Sequence, residues 1–271
     1  MQIDLNEIVK DKNPALYRKL PRFVLWIAGK ILYIKSINRI LALFSHLQGV
    51  VFIRAMLDEL SIRREAVGVE KLRRDGHYLF ASNHPLGGLD GLSLVEAIDR
   101  RYNGTKILAN DILMNLTPLK DVFLPVNKHG RQSADYARQV AEHFEQGRSI
   151  IYFPAGLCSR KVKGEITDLE WQRNYVQKAI EYKYDIVPVY VSEINSPLFY
   201  NLELWRTKLG LKFNIGMILL PHELFRRSKR KGSVRMIFGE PVCYKELSET
   251  HNVSYWNKEI RRRCYELSND K

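Results

Sequence analysis

The chain has 271 residues, 45% of them apolar, and carries 43 lysines and arginines against 30 aspartates and glutamates. That balance excludes wholesale disorder and fits one large domain, or one domain with an N-terminal addition. The formal charge of +13 favours polyanionic partners, namely nucleic acid, anionic lipid or an acidic carrier protein, without choosing among them. Cys158, Cys243 and Cys264 have no metal-ligand spacing, and their odd number speaks against a disulfide framework and for a reducing compartment.

The opening MQIDLNEIVKDKNP is polar and mixed in charge, unlike a signal peptide. Residues 20 to 57 are the most apolar stretch, but Lys30, Lys35 and Arg39 interrupt it, so no segment reads as a transmembrane helix. Its first part, 23 to 34, is apolar nearly all round and carries Trp26. In its second part Ile37, Ile40, Leu41, Phe44, Leu47 and Val51 recur at three and four, with Lys35, Arg39 and His46 on another face. Two readings stay open: helices lying in a membrane interface, or a helical pair packed on the domain.

Residues 61 to 75 are charged and read as a bridge to the core. HYLFASN, 77 to 83, predicts a strand, and GLSLVEAIDRRY, 91 to 102, a helix with Asp90 as its N-cap. TKILAN and VFLPVN are the next strands, and SADYARQVAEHFEQG is a helix closed by Gly147. SIIYFPAG is a strand and turn, DLEWQRNYVQKAIEYK (168 to 183) a helix, and DIVPVYVSE a strand whose Pro188 asks for an edge, an end or a bulge. SVRMIFGEPV is a late strand and 245 to 268 is helical. The alternation predicts an α/β fold with a mixed or largely parallel sheet flanked by helices. The expected division is an N-terminal helical segment over 1–60, an α/β domain over 61–245 and a C-terminal helix over 246–271. In such folds ligands gather beyond the carboxyl ends of the strands, where the His84 and Ala155-Gly156 turns fall.

His84 and Asp90 form the candidate catalytic pair. Histidine takes and returns a proton near neutrality, and a carboxylate on its other nitrogen fixes the tautomer. Pro85, Gly87 and Gly88 allow a loop that folds Asp90 back toward His84. The bland alternative is a loop histidine beside a plain N-cap. No G-x-S-x-G elbow supplies a serine nucleophile, so the pair suits direct transfer to a substrate hydroxyl or amine. Cys158, beside Arg160 and Lys161, could hold a thiolate, although free cysteines are mostly buried hydrophobes. The basic run FRRSKRKGS, 225 to 233, reads as a solvated or membrane-facing loop, and the absence of interleaved aromatics disfavours nucleic acid.

Taken together, NHPLGGLD, FPAGLCSR, Val187-Pro188-Val189 and FGEPV resemble, in order and spacing, the blocks of the glycerolipid acyltransferase family that includes 1-acylglycerol-3-phosphate acyltransferases. The match covers roughly residues 70 to 245. The family places four residues between His and Asp, whereas five lie here. Its third-block glutamate is Ala155 here, and the spacing before Arg160 is longer than in the family block. Its second block is weak, with Asn127 and Lys128 near the usual Asp-Arg. These departures resemble the hemolysin-like subset related to aminolipid acyltransferases.

The resemblance implies an O-acyltransferase acting on a membrane lyso-lipid, either lysophosphatidic acid or a lyso-aminolipid. His84 and Asp90 would be catalytic. Asn83, Asn127, Lys128, Arg131, Phe153, Pro154, Gly156, Arg160 and Lys161 would line the substrate site. It implies no metal and no cofactor, with acyl-carrier-protein or coenzyme A thioester as co-substrate. The implied partners are an anionic or zwitterionic lyso-lipid and a membrane surface, with the N-terminal helices resembling the membrane-associating segment that precedes this domain in some members, and the implied location is the cytoplasmic face of the inner membrane, peripheral or monotopic. A non-catalytic membrane-binding protein with a vestigial site is the alternative.

Overall fold

A computed structural model describes residues 3–110, 116–126, 134–210 and 215–269. Five helices come first: α1 Leu5–Lys12, α2 Pro14–Lys19, α3 Arg22–Ile31, α4 Ile34–Leu43 and α5 Gly49–Glu59. The amphipathic stretch breaks after Leu43, so Ile40 and Leu41 are buried on α4 while Val51, one helix later, is exposed.

The α/β body follows as β1 Arg63–Val67, β2 Tyr78–Ser82, α6 Gly88–Asp99, β3 Lys106–Asn110, β4 Phe123–Val126, α7 Ala134–Glu145 and β5 Ile150–Tyr152. A small hairpin, β6 Arg160–Val162 and β7 Glu165–Thr167, precedes α8 Asn174–Tyr182 and β8 Asp185–Val191. Then come α9 Pro197–Lys208, α10 Ile215–Lys229, β9 Ser233–Phe238, α11 Tyr244–Glu249 and α12 Val253–Glu266.

Seven strands form one mixed sheet in the order β1-β9-β8-β2-β5-β3-β4. Neighbours run parallel except β8 and β9. Side chains alternate across it with a period of two. Tyr78 and Phe80 join the cluster under α5 and α6, with Ile53, Leu57, Leu94 and Ile98. Leu79 and Ala81 join the opposite cluster with Tyr175, Val176, Trp256 and Ile260 of α8 and α12. Both faces of β2 are therefore covered, which is why its sequence is an unbroken apolar run. Each fully buried leucine, isoleucine, valine or phenylalanine among them contributes about 1.5–3 kcal/mol.

Several elements differ from expectation. Residues 61 to 75 contain the edge strand β1, whose residues alternate between exposed and half-buried and so carry no apolar signature. The helix expected from 168 begins at Asn174, and 245 to 268 holds two helices rather than one. The basic run 225 to 233 is the end of α10 and the start of β9, with Phe225 buried. Pro188 lies in an interior strand. It is tolerated because the ladder on the β9 side is bulged there: residues 186 to 189 oppose 238 to 242, and Gly239 donates to the Pro188 carbonyl at 2.9 Å.

Candidate active site

The carboxyl ends of β2 and β5 are neighbours, so the His84 and Phe153–Gly156 turns meet at one end of the sheet. Ser82 and Asn83 close β2 from inside. The Asn83 amide donates to Val191 O at 2.9 Å and accepts from Val191 N at 2.7 Å, tying β2 to β8 beyond the last ladder pair. Asn83 is buried, and both ends of its side chain serve this bridge.

His84 is fixed at four points. Its backbone N–H donates to Asp168 Oδ1 at 3.2 Å, and its carbonyl accepts from Ser159 N at 2.8 Å. Its ring stacks on Phe153, with centroids 3.9 Å apart and planes 21° from parallel. Its Nδ1 lies 3.1 Å from Asp90 Oδ1 and 3.2 Å from Oδ2. The Asp90 side chain is fully buried, whereas that of His84 keeps 16% of its surface exposed.

Asp90 is not the N-cap. The cap is Gly87, and Asp90 is the third residue of α6, where its carboxylate reaches back to the Leu86 N–H at 2.9 Å and also accepts from Gly91 N at 2.8 Å. An acid at this position satisfies a donor ahead of the helix and faces the positive end of the helix dipole. Gly87 has φ +76°, which an L residue rarely adopts, and this left-handed step lies in the turn between histidine and aspartate. A Cβ on Gly88 would meet Leu220 of α10 at 2.9 Å, so α10 closes over the turn.

The third block supports the turn. Phe153 backs the histidine ring, Pro154 is buried and Gly156 turns with φ +65°. Arg160 is buried and engaged: Nε is 2.9 Å from Glu203 Oε1, and Nη1 donates to the Cys158 carbonyl at 2.7 Å. Lys161 is exposed on the hairpin. Asn127, Lys128 and Arg131 lie outside the described residues.

Three supports carried no signal in the sequence. Asp168 accepts from His84 N, from Ser159 Oγ at 2.5 Å and from Trp171 Nε1 at 2.9 Å. Burial raises its pKa, against hydrogen bonds that lower it. Asn195 donates to Pro85 O at 3.0 Å, and Glu203 meets Arg160. Each is remote in sequence from the residue it holds, and no spacing marks it. Among the described residues no group of three histidine, cysteine, aspartate or glutamate side chains could hold a metal ion.

An acyltransferase family model matches residues 7–271. The chain is 38% identical over 266 residues to a lyso-glycine lipid O-acyltransferase of Bacteroides thetaiotaomicron, covering 98% of this chain and 97% of that one. It is equally 38% identical to a lyso-glycine lipid O-acyltransferase of Phocaeicola vulgatus, covering 98% and 95%. Among solved structures, the 1-acyl-sn-glycerophosphate acyltransferase PlsC of Thermotoga maritima aligns with a TM-score of 0.49 at 14% identity, over 89% of this chain and 95% of that one. The family model over residues 7–271 and the two relatives at 38% identity, together with a histidine–aspartate pair held at the carboxyl end of a parallel strand, mean that the chain belongs to the acyltransferase family.

Proposed function

We propose that the chain moves a fatty acyl group from a thioester to the hydroxyl of a lyso-lipid, with a lyso-glycine lipid as acceptor and His84 as the base. The observation that carries this is the 3.1 Å contact between His84 Nδ1 and the buried Asp90 carboxylate. The Leu86 and Gly91 amides hold that carboxylate in place. Asp90 accepts the Nδ1–H, which leaves the Nε2 lone pair for the acceptor hydroxyl. As the hydroxyl oxygen bonds to the thioester carbonyl carbon, its proton passes to Nε2 and the carbonyl electron pair moves onto oxygen. When the adduct collapses, the C–S bond breaks and the departing sulfur takes the proton from Nε2.

The glycine acceptor is supported by the two relatives, each 38% identical over nearly the whole chain. A glycine head group presents a carboxylate, and a lysine ammonium suits it. Lys161 is the better candidate for that contact, because the charge of Arg160 is already met by Glu203. No helix among the described residues is long and apolar enough to cross a membrane. α3 instead presents Phe23, Trp26, Ile27 and Ile31 to solvent, with Lys30 Nζ 3.6 Å from the Trp26 ring centroid. This face rests on the bilayer that holds the acceptor, its aromatic and aliphatic groups in the acyl boundary and its lysine among the head groups.

The test is a product screen. Purified protein receives carrier-linked and coenzyme A thioesters with lyso-glycine lipid or lysophosphatidic acid, and products are read by mass spectrometry. The expected product is O-acylated glycine lipid. Product from lysophosphatidic acid alone overturns the aminolipid acceptor. Vesicle binding with no product from either acceptor favours the non-catalytic alternative.

A further inference from the structure

A second cationic site lies at the same end of the sheet as His84, on the edge strand. β1 runs parallel to β9, and β9 runs antiparallel to β8. The starts of β1 and β9 therefore lie where β2 and β8 finish. Between them opens a pocket of about 580 Å³, lined by Arg63, Arg64, Arg230 and Lys231 together with Asp58. Asp58 is occupied by Arg64, at 2.6 Å. Arg63, Arg230 and Lys231 are exposed, and among the described residues no carboxylate pairs with them. Three unneutralised cations thus face one opening.

Two independent rulers relate this pocket to the histidine. β1 is three strands from β2 in the sheet, which at ~4.8 Å per strand is about 14 Å. α10 links the same two places: Leu220 covers Gly87 and Gly88, and Lys229 ends the helix beside the pocket. Nine residues at about 1.5 Å each again give about 14 Å.

We propose that this pocket docks an acidic acyl carrier protein, which delivers its thioester to His84 on an extended prosthetic arm. The inference rests on the acyl-transfer reading above. The lining favours an acidic protein surface over the other polyanions. Its remaining members, Ser61 and Ile62, offer no aromatic ring to a nucleotide base. It also holds no exposed large apolar side chain for a bilayer. Scattered cations without apolar anchors are what steers and orients an oppositely charged protein.

The test compares wild type with the triple variant Arg63→Gln, Arg230→Gln, Lys231→Gln. One acyl chain is supplied on an acidic acyl carrier protein, on coenzyme A and on pantetheine. The readout is each kcat/KM divided by that for acyl-pantetheine, so any general loss of folding or of vesicle contact cancels. The expected result is a fall of tenfold or more in the carrier ratio with less than a twofold change in the coenzyme A ratio. Raising salt lowers the carrier ratio in wild type and leaves it flat in the variant. An unchanged carrier ratio overturns docking here, and an equal fall for coenzyme A overturns it in favour of a phosphate-reading pocket. Titration calorimetry of the unacylated carrier reads docking without turnover. Binding lost in the triple variant upholds the proposal even if no product forms, and binding that is absent in wild type or unaltered in the variant overturns it.

Discussion

The turn after β2 and the outer face of α3 place their side chains by opposite means. In the turn, the backbone N–H and C=O of His84, its Nδ1, both Asp90 oxygens and the Pro85 carbonyl all have internal partners. On α3, Phe23 and Trp26 are 63% and 59% exposed, and the Trp26 ring has Lys30 Nζ over it. The first arrangement removes freedom from a ring that, in the proposed mechanism, presents one nitrogen to a reacting proton. The second removes none, and leaves apolar area whose free energy falls on entering lipid. On the proposed reading, chemistry and contact with the amphiphile fall to surfaces with different demands, one rigid and one adaptable.

The comparison breaks most decisively at His84. His84→Ala should lower turnover by about 10²–10⁴-fold while the melting temperature stays near that of wild type. Unaltered turnover in a purified assay would remove the base. The saturated interior extends to His143, which is buried with Nε2 3.0 Å from the Ser149 carbonyl. Burial lowers its pKa to about 4 from 6.5. Between those values the unfolded chain binds a proton that the folded one refuses, so stability falls as pH drops from 6.5 toward 4. The loss is at most about 3 kcal/mol. Denaturant titrations across that window should show the slope, and His143→Gln should flatten it.

On the adaptable side, Phe23→Ala with Trp26→Ala should weaken partition to vesicles by about 100-fold or more, from about 1.5–3 kcal/mol per side chain. Turnover on vesicles should then fall further than on detergent-dispersed acceptor. Equal falls would mean that α3 is ordinary surface. The smallest effect sharpens the rigid side. Asp168→Asn keeps the shape but weakens the hold on His84 and Ser159, and should lower kcat about tenfold at similar KM, the cost of disturbing one or two buried hydrogen bonds. A rise in KM with kcat intact would assign Asp168 to substrate binding instead.

The strands buried on both faces were legible because burial leaves an apolar run, as in Tyr78–Ser82 and Ile150–Tyr152. The edge strand Arg63–Val67 was not, because its side chains meet water and carry charge. The histidine and aspartate were legible as a pair, and the two glycines between them pointed to the flexible joint that the turn uses. The role of Asp90 inside the helix was hidden, since a residue before an apolar period looks like a cap until the left-handed glycine moves the helix start forward. Asp168, Asn195 and Glu203 were illegible for another reason. Their partners are brought to them only by the folded sheet, across 84, 110 and 43 positions of chain, distances at which local pattern says nothing.

The left-handed step at Gly87 separates distance along the chain from distance in space. It turns a six-residue interval into a contact of 3.1 Å, so a text pattern written on four intervening residues passes over this chain. A pattern written on geometry, a strand end followed by an acid on the first turn of the next helix, finds it.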